Sequence, residues 1–337
     1  MKHYFMKFVI AALVLTGCTP ATDADHAVSA AYNGPVIDMH LHAMGAADQG
    51  PPPIAVCPGE MAGAAHDPAK PWGAAFMERV KAPACDGPIW SAETDDGLRD
   101  QTLAELERLN VIGVLSGPRE RVAEWKELSP ERIIAGHELS LMRDHPLAED
   151  IGDYFDAGGF EVLAEVSNQY AGVEPDDEQL DDYWRIAAEK DIPVGIHIGP
   201  GPPGAPYLYP NYRAHLHSPL ALEEILVRHP TLRVYVMHAG WPMLDDMKAM
   251  LYAHPQLYVG TGVLQMAATR TEYYHFLENL VDAGFIERIM FGSDQMVWPG
   301  LIEEGIDAIN KAPFLTTAQK SAILHDNAVR FLRRSEN

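Results

Sequence analysis

Eight short runs rich in β-branched and aliphatic residues recur between residues 36 and 293. They are Val36–His40, Val111–Ser116, Arg132–His137, Phe160–Ser167, Ile192–Ile198, Arg233–His238, Leu257–Gly262 and Arg288–Ser293. Amphipathic stretches separate them. Asp95–Leu109 sets Leu98, Leu103, Leu106 and Leu109 near helical spacing, and Leu222, Ile225 and Leu226 do the same before the sixth run. Asp181–Lys190, Leu244–Tyr252 and Glu272–Ala283 behave likewise. Strands that alternate with helices pair in parallel, and eight is the number that closes a (β/α)8 barrel. The expected fold is therefore α/β, a TIM barrel over residues 34–337, a length that one such domain accommodates. An open doubly wound sheet is the alternative; it lacks support because no glycine-rich phosphate-binding turn opens a helix early in the chain.

Two segments interrupt the rhythm. Residues 43–93 form a long loop insertion after strand one, and residues 199–219 a shorter one after strand five. Long loops inside a compact domain are usually functional. Both follow strand C-termini, which in a barrel places them over the catalytic face.

The first residues read differently. Lys2 and Lys7 give a basic start, Phe8–Leu15 is apolar, and Leu15-Thr16-Gly17-Cys18 follows. The apolar run has the length of a secretory signal core and is too short for a membrane span. Its end resembles the bacterial lipobox, in which the cysteine becomes the acylated first residue. Residues 1–17 are thus expected to be a lipoprotein signal peptide, with Cys18 lipidated and residues 18–33 a flexible tether. That makes the protein an exported, membrane-anchored one facing the periplasm or cell exterior. Cys57 and Cys85 then remain as an even pair in an oxidising compartment. A bridge between them, closing a loop of roughly 29 residues, contributes ~3 kcal/mol by the chain-entropy model; two unpaired thiols are the alternative. The formal charge of −23 argues against a nucleic-acid partner, which requires clustered Lys and Arg.

Chemistry concentrates at the strand ends. In Val36-Ile37-Asp38-Met39-His40-Leu41-His42, alternation puts His40 and His42 on one side of an extended chain, so both imidazoles reach one ion. His197 closes strand five, His238 closes strand six, and Asp294 stands just past strand eight. Four histidines and an aspartate at the C-termini of independently drawn strands suit zinc, with manganese or iron as alternatives.

These motifs carry a family resemblance. Ile37-Asp38-x-His40-x-His42, Ile192-Pro193-Val194-x-Ile196-His197, Val236-Met237-His238-Ala239-Gly240 and Phe291-Gly292-Ser293-Asp294 resemble the amidohydrolase superfamily. The fit is best to the amidohydrolase-related branch that includes aminocarboxymuconate-semialdehyde decarboxylase. Ala318–Leu332, with Asp326-Asn327-Ala328, is similar to that family's last helices. The resemblance implies His40, His42, His197 and Asp294 as ligands of a divalent ion, and His238 as a catalytic side chain or second-metal ligand. Binuclear relatives carry a carboxylated Lys or a Glu at the end of strand four. Here Glu165 stands in an otherwise apolar strand, a costly place for an acid that is neither paired nor metal-bound. It is expected to face the metal, making one or two ions the alternatives.

Outside the strand ends, Arg213 is a candidate to grip a substrate carboxylate or phosphate, and His137 to line the pocket. His215 and His217 repeat the His-x-His spelling but sit in a loop. The implied activity is that of a metal-dependent hydrolase acting on an amide, ester or lactone-type bond of a small molecule. A divalent ion lowers the pKa of water from about 16 toward 7, and Asp294 accepts and returns the proton. Non-oxidative decarboxylation of an aromatic or unsaturated acid is the first alternative, and a non-catalytic binding lipoprotein the second.

Overall fold

The structure, a computed structural model, describes residues 29–61, 63, 65–143 and 145–334. The segment expected to be a signal peptide, residues 1–17, and the expected lipidation site Cys18 lie outside the described residues. All eight expected strands form. They are β1 (Val36–His42), β2 (Val111–Ser116), β3 (Ile133–Leu139), β4 (Val162–Val166), β5 (Val194–Ile196), β6 (Val234–Val236), β7 (Tyr258–Gly260) and β8 (Ile289–Met290). Each is parallel to the next in chain order. Backbone bonds close the ring: Met39 N–H donates to the Phe291 carbonyl at 2.9 Å, and Asp294 N–H to the His40 carbonyl at 2.9 Å. An open sheet is thereby excluded.

Helices fall where the apolar spacing put them, at Asp95–Arg108, Glu178–Glu189, Leu244–Ala253 and Arg270–Asp282 among others. Local chemistry starts them. The Thr94 and Thr269 side chains accept from Gly97 N–H and Glu272 N–H, satisfying amides that the first turn leaves free. The outward faces of the strands and the inward faces of the helices share one large core. A second core fills the barrel itself, with Ile37, Met39, Val114, Ile134, Val162, Ala164, Tyr235, Met237 and Met290. Phe331, on the last helix (Asn327–Leu332), closes its lower end against Tyr235 and Tyr258, at 5.4 and 5.0 Å between ring centroids. With the bottom sealed by apolar packing, polar side chains collect at the other end.

Two expectations are corrected. Residues 29–33, read as part of a tether, are tied to the barrel: Tyr32 N–H donates to Asn310 Oδ1 at 2.8 Å, and Lys320 Nζ to the Ser29 carbonyl at 3.0 Å. Residues 43–93 are not a bare loop. They contain a helix (Trp72–Lys81) and an antiparallel ribbon in which Ala55–Val56 pairs with Ile89–Trp90. The ribbon is too short for alternation to register, and the helix carries a single fully buried residue, Val80. A Cys57–Cys85 disulfide staples the segment, with Cα atoms 5.9 Å apart. Gly59 N–H reaches the Met266 carbonyl at 2.9 Å, Trp72 Nε1 the Pro203 carbonyl at 2.7 Å, and Trp298 Nε1 the Ile54 carbonyl at 3.1 Å. The segment is thus bound to the loops after β5, β7 and β8, at the C-terminal end of the barrel.

Candidate metal centre and cavity

Side-chain direction at this end depends on two β-bulges. Between β1 and β2, Asp38 pairs with Gly113 but Leu41 with Leu115, so β1 holds one extra residue. Below the bulge Ile37 and Met39 face the barrel interior; above it Leu41 packs outward and His40 and His42 turn in. The same device operates in β4. Leu163 pairs with His137 and Val194, whereas Val166 pairs with Leu139 and Ile196. Val162 and Ala164 face inward, and strict alternation would send Glu165 out with Leu163. The extra residue brings Glu165 in as well, a re-aiming that bulges near active sites commonly perform.

The result is one buried cluster. His40 Nε2 and His42 Nε2 stand 2.9 Å apart, and Asp294 Oδ1 is 3.1 Å from His42 Nε2 and 3.6 Å from His40 Nε2. Glu165 Oε1 lies 2.6 Å from His197 Nδ1 and 3.5 Å from His238 Nε2, while its Oε2 is 3.7 Å from His42 Nε2. His238 Nε2 is 2.9 Å from His197 Nδ1. The Nδ1–H of His238 donates to the Gly262 carbonyl at 3.0 Å, which turns its Nε2 toward Glu165. None of the six residues is more than 8% exposed.

Neighbours lock these groups in place. Gln295 pairs with the His42 backbone twice, accepting from its N–H at 2.9 Å and donating to its carbonyl at 2.7 Å. Asp38 Oδ1 accepts from His40 N–H and Ser293 N–H, both at 2.9 Å, tying β1 to the loop after β8. Asp294 sits at φ +50°, a left-handed conformation that costs free energy and is typical of functional positions. Gly262 leaves room for the His40 ring, since a Cβ there would stand 2.6 Å from His40 Nδ1.

Electrostatics follow from burial. Desolvation pushes the His40 imidazole down to about 3. At His42 burial acts in the same sense but the adjacent Asp294 and Glu165 carboxylates outweigh it, pushing the imidazole up to about 9. Burial opposes the charge on Glu165 and Asp294 too, yet the surrounding histidines hold both carboxyls well below their ordinary range. Two buried carboxylates with no Lys or Arg among them are balanced only by protonated imidazole or by a bound cation. Asp294 Oδ1 also has no hydrogen-bond partner. The donor atoms form three overlapping triads, His40/His238/Asp294, His40/His42/Glu165 and Glu165/His197/His238, each spanning no more than 4.8 Å. Imidazole nitrogens and carboxylate oxygens converging in this way fit a divalent metal ion.

The cluster forms the floor of a cavity of about 390 Å³, walled by Met44, Asp48, Gln49, Glu138, Ser140, Arg143, Tyr170 and Met296 among others. Arg213 is not part of that wall. It is exposed, and its guanidinium donates to the Pro210 and Tyr212 carbonyls. The cation at the cavity is instead Arg143, paired with Glu138 at 2.6 Å. His137 faces the helix layer, stacked on Tyr154 at 5.6 Å, and lines an adjoining groove with Arg119 and Arg143. His215 is exposed, while His217 Nε2 lies 2.6 Å from the hydroxyl of buried Tyr212. Sequence reasoning missed Gln295, Gly262, Glu138, Arg143 and Tyr170. Gln295 follows Asp294 and Glu138 follows His137 in the sequence, Gly262 ends the seventh run, and Arg143 and Tyr170 carry no spacing signal.

Comparison with known proteins agrees with the barrel fold. The family model described as Amidohydrolase matches residues 37–334. Among curated proteins no sequence matches the chain. Solved structures share the fold at low identity. A probable 2-pyrone-4,6-dicarboxylic acid hydrolase from Acinetobacter baumannii, with citric acid bound, is 13% identical with a TM-score of 0.58, covering 89% of this chain and 100% of that one. The 2,6-dihydroxybenzoate decarboxylase from Rhizobium is 16% identical with a TM-score of 0.55, covering 90% and 99%. The 5-carboxyvanillate decarboxylase from Novosphingobium aromaticivorans, with bound manganese, is 16% identical with a TM-score of 0.52, covering 70% and 81%.

Proposed function

The chain belongs to the amidohydrolase family, and from that premise we propose that it is a divalent-metal-dependent hydrolase of a small-molecule ester, lactone or amide. The observation that carries this reading is Glu165. Two donor sets, His40/His42/Glu165 and Glu165/His197/His238, have this carboxylate alone in common. A carboxylate between two pairs of histidines suits two ions, zinc by donor type, with manganese or iron as alternatives. When bound, such ions supply Lewis acidity that acidifies water and polarises a carbonyl oxygen.

The chain's own residues do the rest. Asp294, with Oδ1 free of other partners, takes the proton of the attacking water and passes it to the leaving group. His238, fixed through its Nδ1–H on Gly262, presents Nε2 to the cluster in a single tautomer. Burial holds the Tyr170 phenol well above its ordinary range, so it meets substrate as a neutral hydroxyl that can donate a hydrogen bond.

Decarboxylation is the second reading. Arg143 in the cavity wall favours it, because a guanidinium is suited to a substrate carboxylate. A panel of esters, lactones, amides and aromatic acids, offered to protein loaded with zinc, manganese or iron, separates the two. Hydrolysis is expected, with Asp294→Asn lowering kcat by about 100-fold or more. Carbon dioxide release from aromatic acids with no hydrolysis of any other class would overturn the hydrolase. We propose further that the protein works outside the cytoplasm, a reading that the Cys57–Cys85 bridge supports.

A further inference from the structure

Beside the cavity over the metal-ligand cluster lies a second, narrower chamber of about 90 Å³. The two meet at Gln49, Tyr170, His197, Tyr209, Asp294 and Met296, which line both. Beyond that junction the chemistry of the walls changes. Ile54, Phe76 and Val80 come from the stapled segment, and Val263, Met266 and Trp298 from the loops after β7 and β8. Among the described residues, the only charged or titratable side chains on this wall are His197 and Asp294, which belong to the metal cluster, and the phenols of Tyr170 and Tyr209. The Trp298 indole N–H is already used on the Ile54 carbonyl, and the Met266 carbonyl on Gly59 N–H. Arg143 and Glu138, the ion pair of the larger cavity, do not reach it.

We infer that this chamber is the specificity subsite, and that the substrate carries a compact, uncharged, apolar group on the carbon next to its reacting carbonyl. The inference rests on the metal-dependent reading above and names the substrate class for it. The reacting group must lie at His197 and Asp294, and the chamber opens from those two residues. An apolar group entering it gains roughly 25 cal/mol for each Å² removed from water. A charged group would surrender its hydration to a wall with no free counter-charge, a far larger cost. Methionines 266 and 296 adapt to either a flat ring or a short alkyl chain, so the shared chemistry is apolar bulk of small size. The stapled segment supplies half of the six apolar wall residues named above, which ties specificity to the segment that Cys57–Cys85 holds closed.

The test uses hydroxamates, whose chelating end binds a metal and whose other end is varied. Acetohydroxamate, butyrohydroxamate, benzohydroxamate and the monohydroxamate of succinic acid are titrated into metal-loaded protein by calorimetry. Butyrohydroxamate or benzohydroxamate is expected to bind about 10- to 100-fold tighter than acetohydroxamate, and the anionic succinyl compound no tighter. A gain for the ring alone or the chain alone identifies which group the chamber takes. Ala267 also lines the chamber, and Ala267→Phe, which fills it, should erase the gain and leave acetohydroxamate binding and metal content unchanged. If that variant does not fold, Phe76→Ala, which removes part of the wall, should reduce the gain. Equal affinities across the series, tightest binding of the succinyl compound, or a gain that survives in Ala267→Phe would overturn the chamber. Failure of every hydroxamate, acetohydroxamate included, would overturn the metal-dependent reading and the chamber's role with it.

Discussion

At Gly262 a single hydrogen in place of a methyl group decides whether His40 can occupy its position. A Cβ at this residue would stand 2.6 Å from His40 Nδ1 and 3.1 Å from the Met237 carbonyl. Gly262→Ala should therefore displace the His40 ring and cut metal affinity about 10- to 100-fold, the range found when groups that orient a ligand are lost. Metal retention in competition with a chelator measures it, and wild-type retention would show that the ring has room. His40, His42, His197, His238 and Asp294 are legible in the sequence because each stands at or just past the C-terminal end of a strand, where spacing and residue type speak together. Glu165 was legible only as an acid in an apolar run. Its inward direction depends on the bulge in β4, where Val166 rather than Glu165 pairs with Leu139, and pairing register is not written in one strand alone. Gln295 was not legible at all. Its role lies in two hydrogen bonds to the His42 backbone across 253 residues of sequence.

The elements that carry the site differ in how plainly they announce themselves. The barrel strands were found from β-branched runs and the helices from apolar periodicity, since both patterns follow directly from burial of one face. The sequence of residues 43–93 reads as a loop because its two-residue strands and a helix with one buried position leave no period to detect. Its order comes from the disulfide and from hydrogen bonds to other loops. In the segment after β5, His217 offers a pH test. Burial, helped by His197 and His238, pushes its imidazole down from 6.5 to about 4. Between those values the unfolded chain takes up a proton that the folded chain does not, so this contribution is fully present above pH 6.5 and is lost as pH falls toward 4. His217→Gln removes the titration while keeping a polar partner for Tyr212. The fall in Tm between pH 7.5 and pH 5 should therefore be smaller in the variant than in wild type. An identical fall would place the acid sensitivity elsewhere.

Taken as a whole, the molecule seals one end of its barrel with Phe331, Tyr235 and Tyr258 and gathers imidazoles and carboxylates at the other. The buried carboxylates of Glu165 and Asp294, with four histidines and no buried Lys or Arg around them, offer bound cations a place beside protonated imidazole in the charge balance. Metal content measured alongside turnover therefore bears most directly on the proposed mechanism. Wild-type protein equilibrated with excess zinc or manganese and then desalted should hold about two equivalents, lose its activity on exhaustive chelation, and regain it on reloading. Glu165→Gln should hold about one equivalent and turn over far more slowly. Full activity in wild-type protein shown to be free of metal would contradict the proposal outright.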